Sequence, residues 1–411
     1  MKNYTLISRG AISLLMLVFI FSCQKRTIDD ASNEVKALHQ VTGKVLAKNG
    51  KTPVANASVF VDNKGDVYFT TTNEKGDFNL KTPEGKHTLN IQTGGGHIFR
   101  TEMEIEVIAN EVNNVNKSSQ NNGITLLQAG SLAYIVGYYD AIENIIVDSL
   151  GYTATEIFVS DLNSLTTMQQ YSAIFLNCGK SGTMDSTKYH NIENYVKAGG
   201  SIYASDYAVN YLTGDGFYKT SPHSGKNEKI ENHSNHNHLV KSGPCSSSMG
   251  GFIPDTELCT DKTGSATTLN GASIVALDIQ NALGKSSLDI YYNLGSWEVI
   301  NVWNQWEVLI QDNGTYGPLA IRRNLSNSNS SATNTNDNKV TICHIPPGNP
   351  GNPQTITISV NALQYHLNHG CSVGTCSGTG GNMYYTTFHN KHNGTISQDV
   401  QKILEYFILN L

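Results

Sequence analysis

Three reactive side chains, Cys178, Asp206 and His389, each lie just after a short apolar segment of the sequence. Cys178 ends AIFLNC, Asp206 follows SIYAS, and His389 follows MYYTTF. A cysteine thiolate paired with an imidazole is a nucleophile, whereas a carboxylate is a poor nucleophile towards amides. An aspartate paired with a histidine suits ligand binding, another kind of hydrolysis or a structural hydrogen bond. We therefore treat the three residues as a candidate pocket.

A second group of candidates lies in a His-rich excursion over 213–270. His233, His236 and His238 are spaced three and two residues apart there. Neutral imidazole is the commonest protein ligand of zinc-like ions, so this segment is a candidate metal site. No Cys or carboxylate stands at a fixed spacing to complete a known zinc pattern, and Asn/Ser/His-rich loops are often only solvated. Both interpretations stay open.

From about residue 130 the hydrophobic pattern alternates between buried strands and amphipathic helices. The alternation predicts an α/β doubly wound, flavodoxin-like main domain with helices on both faces of its sheet. Ligands of such sheets bind beyond the carboxyl ends of the strands, which here carry Asp140, Cys178 and Asp206. The segment SQDVQKILEYFILNL is a predicted final helix, capped by Ser397, whose apolar stripe packs on the sheet.

The order of YSAIFLNCG, YVKAGGSIYASDYA and MYYTTFHN resembles the class I glutamine amidotransferase-like fold, including its ThuA-like branch, over residues 130–411. In that family a Gly-led strand ends at an elbow bearing a nucleophilic Cys, and a late strand ends in a His with an acid two residues on. Here the elbow holds Asp206, the His is His389, and Lys391 takes the acid's place. The resemblance therefore implies degenerate catalytic residues. Cys178 ends a different strand, and an idle buried thiol is favoured over a replacement nucleophile.

Residues 40–116 alternate apolar and polar side chains between turn signals, the pattern of a small all-β sandwich. The order of VTGKV, PVANASVFV and TTTNEKGDFNL resembles the carboxypeptidase regulatory-like domain. That resemblance implies a spacer or adhesion-like module, and some relatives share a fold with carbohydrate-binding modules. The spacer is favoured because no exposed aromatic cluster marks a sugar platform. Residues 117–129 are a predicted linker.

The first 23 residues carry Lys2 and Arg9, then an apolar run, then Ser22 and Cys23. The run is too short to span a bilayer as a helix, and a charged start followed by such a run predicts an export signal. Cys23 after Ser22 resembles a bacterial lipoprotein cleavage site, where the Cys becomes the lipidated first residue. A plain secretory peptide is the alternative. We expect a membrane-anchored lipoprotein of the cell envelope, on the periplasmic face or the cell surface.

Export permits disulfides. Cys245 and Cys259 flank a Gly/Ser-rich loop and are a candidate pair. A compact insert over 339–376, with a CHIPPGNP opening and an HLNHG ending, resembles a small Cys/His module of extracellular bacterial proteins. Its possible zinc ligands or disulfide partners are Cys343, His344, His366, His369, Cys371 and Cys376. A disulfide-stapled unit is favoured over zinc because the chain is exported.

These features favour a lipid-anchored protein whose amidotransferase-like domain binds a ligand or partner, a glycan or a protein, without catalysis. One alternative is a hydrolase of envelope glycan or peptide that uses Asp206 and His389 or a His-bound metal. Another is a metal-handling surface protein. Nucleic acid is not an expected partner, because the net charge is −6 and no Lys/Arg-rich run is present.

We predict that at least one disulfide joins two of the cysteines Cys343, Cys371 and Cys376. Thiol titration of the denatured but non-reduced protein should therefore find fewer free thiols than titration of the reduced protein. The difference should shrink when these three residues are replaced by Ser. If all three thiols are free in the native, non-reduced protein, the zinc interpretation takes precedence.

Overall fold

The strands and helices follow the hydrophobic pattern of the sequence. The computed structural model describes residues 37–63, 66–93, 98–118, 122–179, 183–214, 251–260, 262–325, 339–344, 354–359, 372–373, 381–390 and 397–411. Strands β1 to β8 are Leu38–Leu46, Ser58–Asn63, Asp66–Thr71, Asp77–Pro83, Gly85–Thr93, Phe99–Val107, Asn113–Asn114 and Ile124–Thr125. Strands β9 to β12 are Leu132–Ile135, Thr155–Glu156, Ala173–Leu176 and Ser201–Ser205.

The remaining elements complete the second half of the chain. Strands β13 to β18 are Lys262–Gly264, Thr267–Ile274, Ser287–Tyr292, Trp297–Val299, Glu307–Gln311 and Pro318–Asn324. Strands β19 to β22 are Lys339–His344, Gln354–Ser359, Ser372–Val373 and Asn382–Thr386. Helices α1 to α6 are Ile142–Asn144, Leu165–Met168, Ser186–Lys197, Asn210–Thr213, Leu277–Leu283 and Gln398–Asn410. A π-helical turn, Ile145–Ser149, extends α1.

The N-terminal module is all-β, as the alternating pattern predicts. Its strands form one sheet in the order β4-β1-β7, with β8 also paired to β1, and a second sheet in the order β3-β2-β5-β6. Apolar side chains from both sheets, among them Val45, Val59, Leu80 and Ile91, are at most 1% exposed and belong to one cluster. Burying these alternate side chains is the main contribution to the module's stability.

The second half is built around a nine-stranded sheet in the order β10-β9-β11-β12-β22-β18-β17-β14-β15. The first five strands run parallel to one another, and every neighbour from β22 to β15 pairs antiparallel. The sequence predicts parallel strands and helices for the first part, but the later segments return as antiparallel strands. The chain is therefore richer in strands than a doubly wound pattern implies.

Apolar side chains cover both faces of the parallel strands. On one face, Ile174 and Ile202 join a cluster that includes Ile192 and Val196 of α3. On the other face, Phe175 and Tyr203 belong to the cluster that contains α6 and the N-terminal module. Because successive residues of a strand point to opposite faces, a continuous apolar run such as AIFL is required here. Residues 38–411 form one compact unit.

Part of the predicted linker packs against the N-terminal module. Ile124 and Thr125 form strand β8 beside β1, and Leu126 is fully buried in the shared apolar cluster. The backbone N–H of Leu126 donates to the carbonyl oxygen of Leu46 over 2.8 Å. Residues 124–126 are thus held by the core and do not connect two free bodies.

The final helix α6 begins and packs as its sequence indicates. The Ser397 hydroxyl oxygen accepts the backbone N–H of Val400 over 3.2 Å, which is an N-cap. Val400, Ile403, Leu404, Phe407 and Ile408 are each at most 4% exposed. The Phe407 ring lies 4.8 Å from the ring of Tyr384 on β22, centroid to centroid, so the helix is anchored to the sheet.

The insert between β18 and β22 interrupts a hairpin. Strands β18 and β22 pair antiparallel with register from Ala320 opposite Thr386 to Asn324 opposite Asn382. The described strands of the insert, β19 to β21, form their own three-stranded sheet in the order β20-β19-β21. Cys371 and Cys376 lie outside the described residues, as do His366 and His369. The nature of the insert's crosslink stays a prediction.

We predict that the hairpin closes without the insert. Asn324 lies opposite Asn382. Replacing residues 326–380 by Asn-Gly would extend this register by one pair, Leu325 opposite Gly381, and close it with a two-residue turn. The shortened protein should unfold cooperatively, with a free energy of unfolding at least equal to that of the full chain, because a shorter loop costs less closure entropy. Denaturant unfolding followed by far-UV circular dichroism measures this.

A one-residue bridge, Gly alone, is the matched control. It forces a register slip, which turns the side chains of one strand towards the wrong face, so this variant should be markedly less stable. Equal stability of the two shortened variants would contradict the register argument, and failure of the Asn-Gly variant to fold would place the insert in the core.

Candidate functional site at the carboxyl edge of the sheet

Four neighbouring parallel strands end at the same edge and position the candidate residues. Across this edge Leu176 pairs with Ile135 and Ala204, and Ser205 pairs with Thr386. The chain segments that leave the strands therefore bring Asp140, Cys178, Asp206 and His389 together. Two of these segments touch closely, because a Cβ atom added to Gly137 would lie 2.2 Å from the carbonyl oxygen of Cys178.

Asp206 occupies a sharp turn between β12 and a 3-10 turn that spans Asp206–Val209. Its φ angle is +44°, a left-handed conformation that is uncommon for residues other than glycine and costs on the order of 1–3 kcal/mol. Three contacts hold the residue. The Tyr385 hydroxyl donates to its carbonyl oxygen over 3.1 Å, the backbone N–H of Glu298 donates to Oδ1 over 2.6 Å, and Oδ2 faces His389.

Cys178, Asp206 and His389 form a compact triangle. His389 Nε2 lies 2.8 Å from Asp206 Oδ2 and 3.2 Å from Cys178 Sγ. Cys178 Sγ lies 3.6 Å from the same carboxylate oxygen. Cys178 and Asp206 are fully buried, and the His389 side chain is 5% exposed. The sequence named these three residues as a candidate pocket, and the structure brings their side chains into direct contact.

The triangle lacks the arrangement of a catalytic triad. In a triad the acid orients one imidazole nitrogen while the other nitrogen takes the proton of the nucleophile. Here the thiol and the carboxylate both approach Nε2 of His389. A proton on Nε2 that is donated to Asp206 prevents this nitrogen from accepting the thiol proton. The cluster therefore does not activate Cys178 by the triad mechanism.

The electrostatic surroundings also keep the thiol protonated. Burial raises the pKa of Cys178 well above its ordinary value, and the negative charges of Asp206 and Asp140 raise it further. Burial lowers the pKa of His389, but the charge and hydrogen bond of Asp206, together with the charge of Asp140, outweigh it and the pKa is raised. Both shifts favour the protonated thiol and the protonated imidazole, which pairs with the Asp206 carboxylate.

Asp140 is the residue of this edge that sequence reasoning named as a strand end but did not place in the pocket. It is fully buried, and burial raises the pKa of its carboxyl group. Its Oδ1 accepts the backbone N–H groups of Ala141 and Asn390 over 3.2 and 3.0 Å. Asn390 Oδ1 also accepts the Ala141 N–H over 2.7 Å, so the chain after β9 is tied to the chain after β22. Only the assembled edge reveals this contact.

Other predicted site residues are not brought to this edge by the part of the chain that the structure describes. His344 lies on β19 of the insert. Cys259 is buried and itself forms an isolated antiparallel β-bridge with Val302. The other predicted residues lie outside the described residues: Cys23, His233, His236, His238, Cys245 and Lys391, besides those of the insert named above. Their roles stay predictions.

An open cleft lies elsewhere, where the N-terminal module meets helices α5 and α6. Its volume is about 430 Å³, within the range of small-molecule sites. The side of the module is lined by Lys51, Thr52, Pro53, Ala55 and Glu74. The opposite side is lined by Lys402, Glu405 and Tyr406. Burial raises the pKa of Glu405, although its hydrogen bond to Gln401 and the nearby Lys402 oppose the shift. The cleft thus combines apolar walls with charges of both signs.

Comparison with known proteins identifies the first module. The family described as carboxypeptidase regulatory-like domain matches residues 40–118, which contain most of β1 and all of β2 to β7 of the all-β module. Residues 40–118 are a carboxypeptidase regulatory-like domain. No curated protein matches the chain.

Two solved structures resemble a larger part of the chain. One, named mmIFT52 N-terminal domain, is 7% identical, has a TM-score of 0.36, and covers 68% of this chain and 96% of its own. The other, a ThuA-like protein from Bacteroides uniformis ATCC 8492, is 8% identical, has a TM-score of 0.32, and covers 67% of this chain and 89% of its own. At these TM-scores neither carries an argument about function.

Within the described segments, none of the helices has the length and apolar character needed to cross a bilayer.

We predict that the Asp206–His389 pair stabilises the fold most at low pH. Because the folded-state pKa of His389 is raised above 6.5, its contribution is complete below about pH 6.5 and is lost as pH rises through the folded value. The free energy of unfolding of the native protein should therefore exceed that of His389→Gln by an amount that decreases as pH rises. Denaturant unfolding in buffers with a chelator, from pH 5.5 to 9, measures the difference.

Asp206→Asn is the matched variant, since it keeps the shape of the side chain and removes the charge. Introducing His389→Gln into that variant should produce a much smaller pH dependence. A difference between native protein and His389→Gln that is constant across the pH range would contradict the ion pair.

Proposed function

We propose that the chain is a lipid-anchored protein of the cell envelope whose domain over 130–411 is doubly wound, amidotransferase-like and ThuA-like, and binds a ligand or a partner without catalysing a reaction. The export signal and Cys23 support the anchor, and the order of YSAIFLNCG, YVKAGGSIYASDYA and MYYTTFHN supports the relationship. Strands ending at one edge, with helices or the module on both faces, are consistent with that fold.

The observation that carries the non-catalytic proposal is the complete engagement of Asp206. Both carboxylate oxygens have a partner, Oδ1 the N–H of Glu298 and Oδ2 the ring of His389, and the residue is fully buried. A hydrolytic carboxylate must contact a substrate or an attacking water molecule. The side chains of Cys178, Asp206 and His389 instead contact one another. This arrangement suits a structural role, and it leaves binding to another surface.

The cleft beside the module is the binding site that this proposal favours. It is large enough for a sugar unit or a short peptide segment, and it is formed jointly by the module and the C-terminal helix. Lys51 and Lys402 are exposed cations, while Glu74 and Glu405 supply carboxylates that can accept hydrogen bonds from hydroxyl groups. The shared site gives the module a function beyond that of a spacer.

The hydrolase alternative requires a different conformation of the carboxyl edge of the sheet. Asp206 and His389 would have to move apart so that water could reach them. Breaking this buried charge pair costs roughly 3–5 kcal/mol. The metal-handling alternative, based on the His excursion, rests on residues outside the described part of the chain. Neither alternative is supported by a solvent-accessible side chain at the elbow, because Asp206 is fully buried.

We predict no turnover when the purified protein is incubated with a panel of amides, peptides and envelope glycans. Mass spectrometry of the products over hours detects even slow hydrolysis. Turnover that disappears in His389→Ala would overturn the non-catalytic proposal. Turnover that persists in this variant would indicate a contaminating enzyme.

We predict that the double substitution Lys51→Glu and Lys402→Glu weakens binding of the cleft's ligand by at least about tenfold, since two charges on opposite sides of the cleft are reversed. Binding to a panel of envelope glycans and peptides is measured by surface plasmon resonance or array. Lys81→Glu with Lys86→Glu, two exposed lysines of the module that do not line the cleft, is the control. Equal losses in both double variants would show a general charge effect instead of a site.

A further inference from the structure

We propose that Cys178, Asp206 and His389 together bind one divalent transition-metal ion of the zinc class. The observation behind this is proximity: His389 Nε2 lies 2.8 Å from Asp206 Oδ2 and 3.2 Å from Cys178 Sγ. One ligand atom from each residue lies within 4.8 Å of the other two. The proposal does not depend on the binding function of the cleft, and it involves none of the residues of the His excursion or the insert.

The size of the triangle fits an ion. Its edges are 2.8 Å between nitrogen and oxygen, 3.2 Å between nitrogen and sulfur, and 3.6 Å between sulfur and oxygen. A point just off the plane of the three atoms lies roughly 2.1 Å from each of them, close to zinc bond lengths of about 2.0–2.3 Å. Tetrahedral ligation would place the atoms about 3.4–3.6 Å apart, so the largest adjustment is about 0.6 Å on the nitrogen–oxygen edge.

The ligand types select the class of ion. One thiolate, one imidazole and one carboxylate oxygen form a mixed sulfur, nitrogen and oxygen set. Calcium and magnesium require oxygen ligands almost exclusively, whereas zinc and cobalt accept all three types. Three protein ligands leave a fourth position, which a water molecule or a small anion can occupy. When the ion binds, the thiol proton and any proton on Nε2 pass to solvent, so the sulfur and nitrogen lone pairs become available.

Contacts behind the ligands hold them in place. Asp206 Oδ1 accepts the N–H of Glu298, which leaves Oδ2 directed at the centre. The backbone N–H of Cys178 donates to Ser205 Oγ over 3.2 Å, which fixes the position of the thiol relative to β12. Such secondary contacts orient ligands in metal sites. Asp140 adds a further buried carboxyl group whose charge acts on both Cys178 and His389, and a cation offsets that negative charge.

The three ligands lie on three separate segments of the chain, so a bound ion would link these segments. Cys178 follows β11, Asp206 follows β12 and His389 follows β22, and β22 reaches the sheet only after the long excursion and the insert. An ion at this centre crosslinks three parallel strands at their carboxyl ends. Because the centre is buried, the ion has to enter during folding or through a local opening of the edge.

The test is metal content and cobalt spectroscopy of the full chain, expressed in medium supplemented with zinc or cobalt and purified without a polyhistidine tag. We expect about one equivalent of metal at this site and, in the cobalt protein, a near-ultraviolet band from thiolate-to-cobalt charge transfer. Cys178→Ser should remove that band. His389→Gln and Asp206→Asn should each weaken retention of the metal against a competing chelator by roughly 100-fold or more, since even secondary contacts contribute about 10–100-fold.

Two variants serve as controls. His190→Gln replaces an exposed histidine on α3 and should leave the band and the metal content unchanged. Replacing His233, His236 and His238 by Gln removes the competing His-rich candidate and should leave the cobalt–thiolate band intact. If Cys178→Ser folds poorly, the unsubstituted cobalt protein still decides the matter, because alkylation of Cys178, identified by peptide mass spectrometry, should be blocked by metal and restored by a chelator under mild denaturation.

Two results would overturn the proposal. One is native protein that carries no stoichiometric metal after growth in either supplemented medium. The other is a cobalt–thiolate band that survives in Cys178→Ser, because it would place the ion on other cysteines.

Discussion

The left-handed backbone at Asp206 is the constraint on which the rest of this edge depends. A non-glycine residue with a φ of +44° is held only when its surroundings offset the strain. The offsetting contacts come from β16 through Glu298, from β22 through Tyr385, and from the loop after β22 through His389. These elements are distant from Asp206 in sequence. The turn is therefore formed by the assembled sheet, and it directs the carboxylate inwards to the centre between the strands.

The inward direction of the Asp206 carboxylate determines the chemical reactivity of this edge of the sheet. A side chain at a strand-to-helix elbow is most reactive when it points to solvent and is served by a base. Here the carboxylate is buried and its nearest imidazole nitrogen is shared with a protonated thiol. Burial strengthens the attraction between Asp206 and His389 but also makes any unpaired member costly. Burial and the shared imidazole nitrogen therefore leave no activated nucleophile at this edge, and they hold sulfur, nitrogen and oxygen atoms in a tight cluster.

The carboxypeptidase regulatory-like domain is part of this arrangement through packing. Its apolar side chains belong to the cluster that covers one face of the main sheet, together with α6. A polar contact strengthens the junction, since Asn56 Nδ2 of the module donates to the carbonyl oxygen of Asp278 on α5 over 2.8 Å. The open cleft lies along this junction. A module that shares its core with its neighbour fixes the geometry of such a cleft far better than a flexibly attached one would.

The amino-acid sequence was sufficient to predict the elements whose signals are local. Alternation over residues 40–116 indicated the all-β module, and the apolar stripe behind Ser397 indicated the last helix with its cap, because these depend on side chains a few residues apart. Three features became visible only in the assembled fold. The later strands join the sheet antiparallel, residues 124–126 pack in the core, and Cys178 and Asp140 lie close to His389. Strand order and distances between segments more than 200 residues apart depend on how whole faces pack, and no local pattern encodes them.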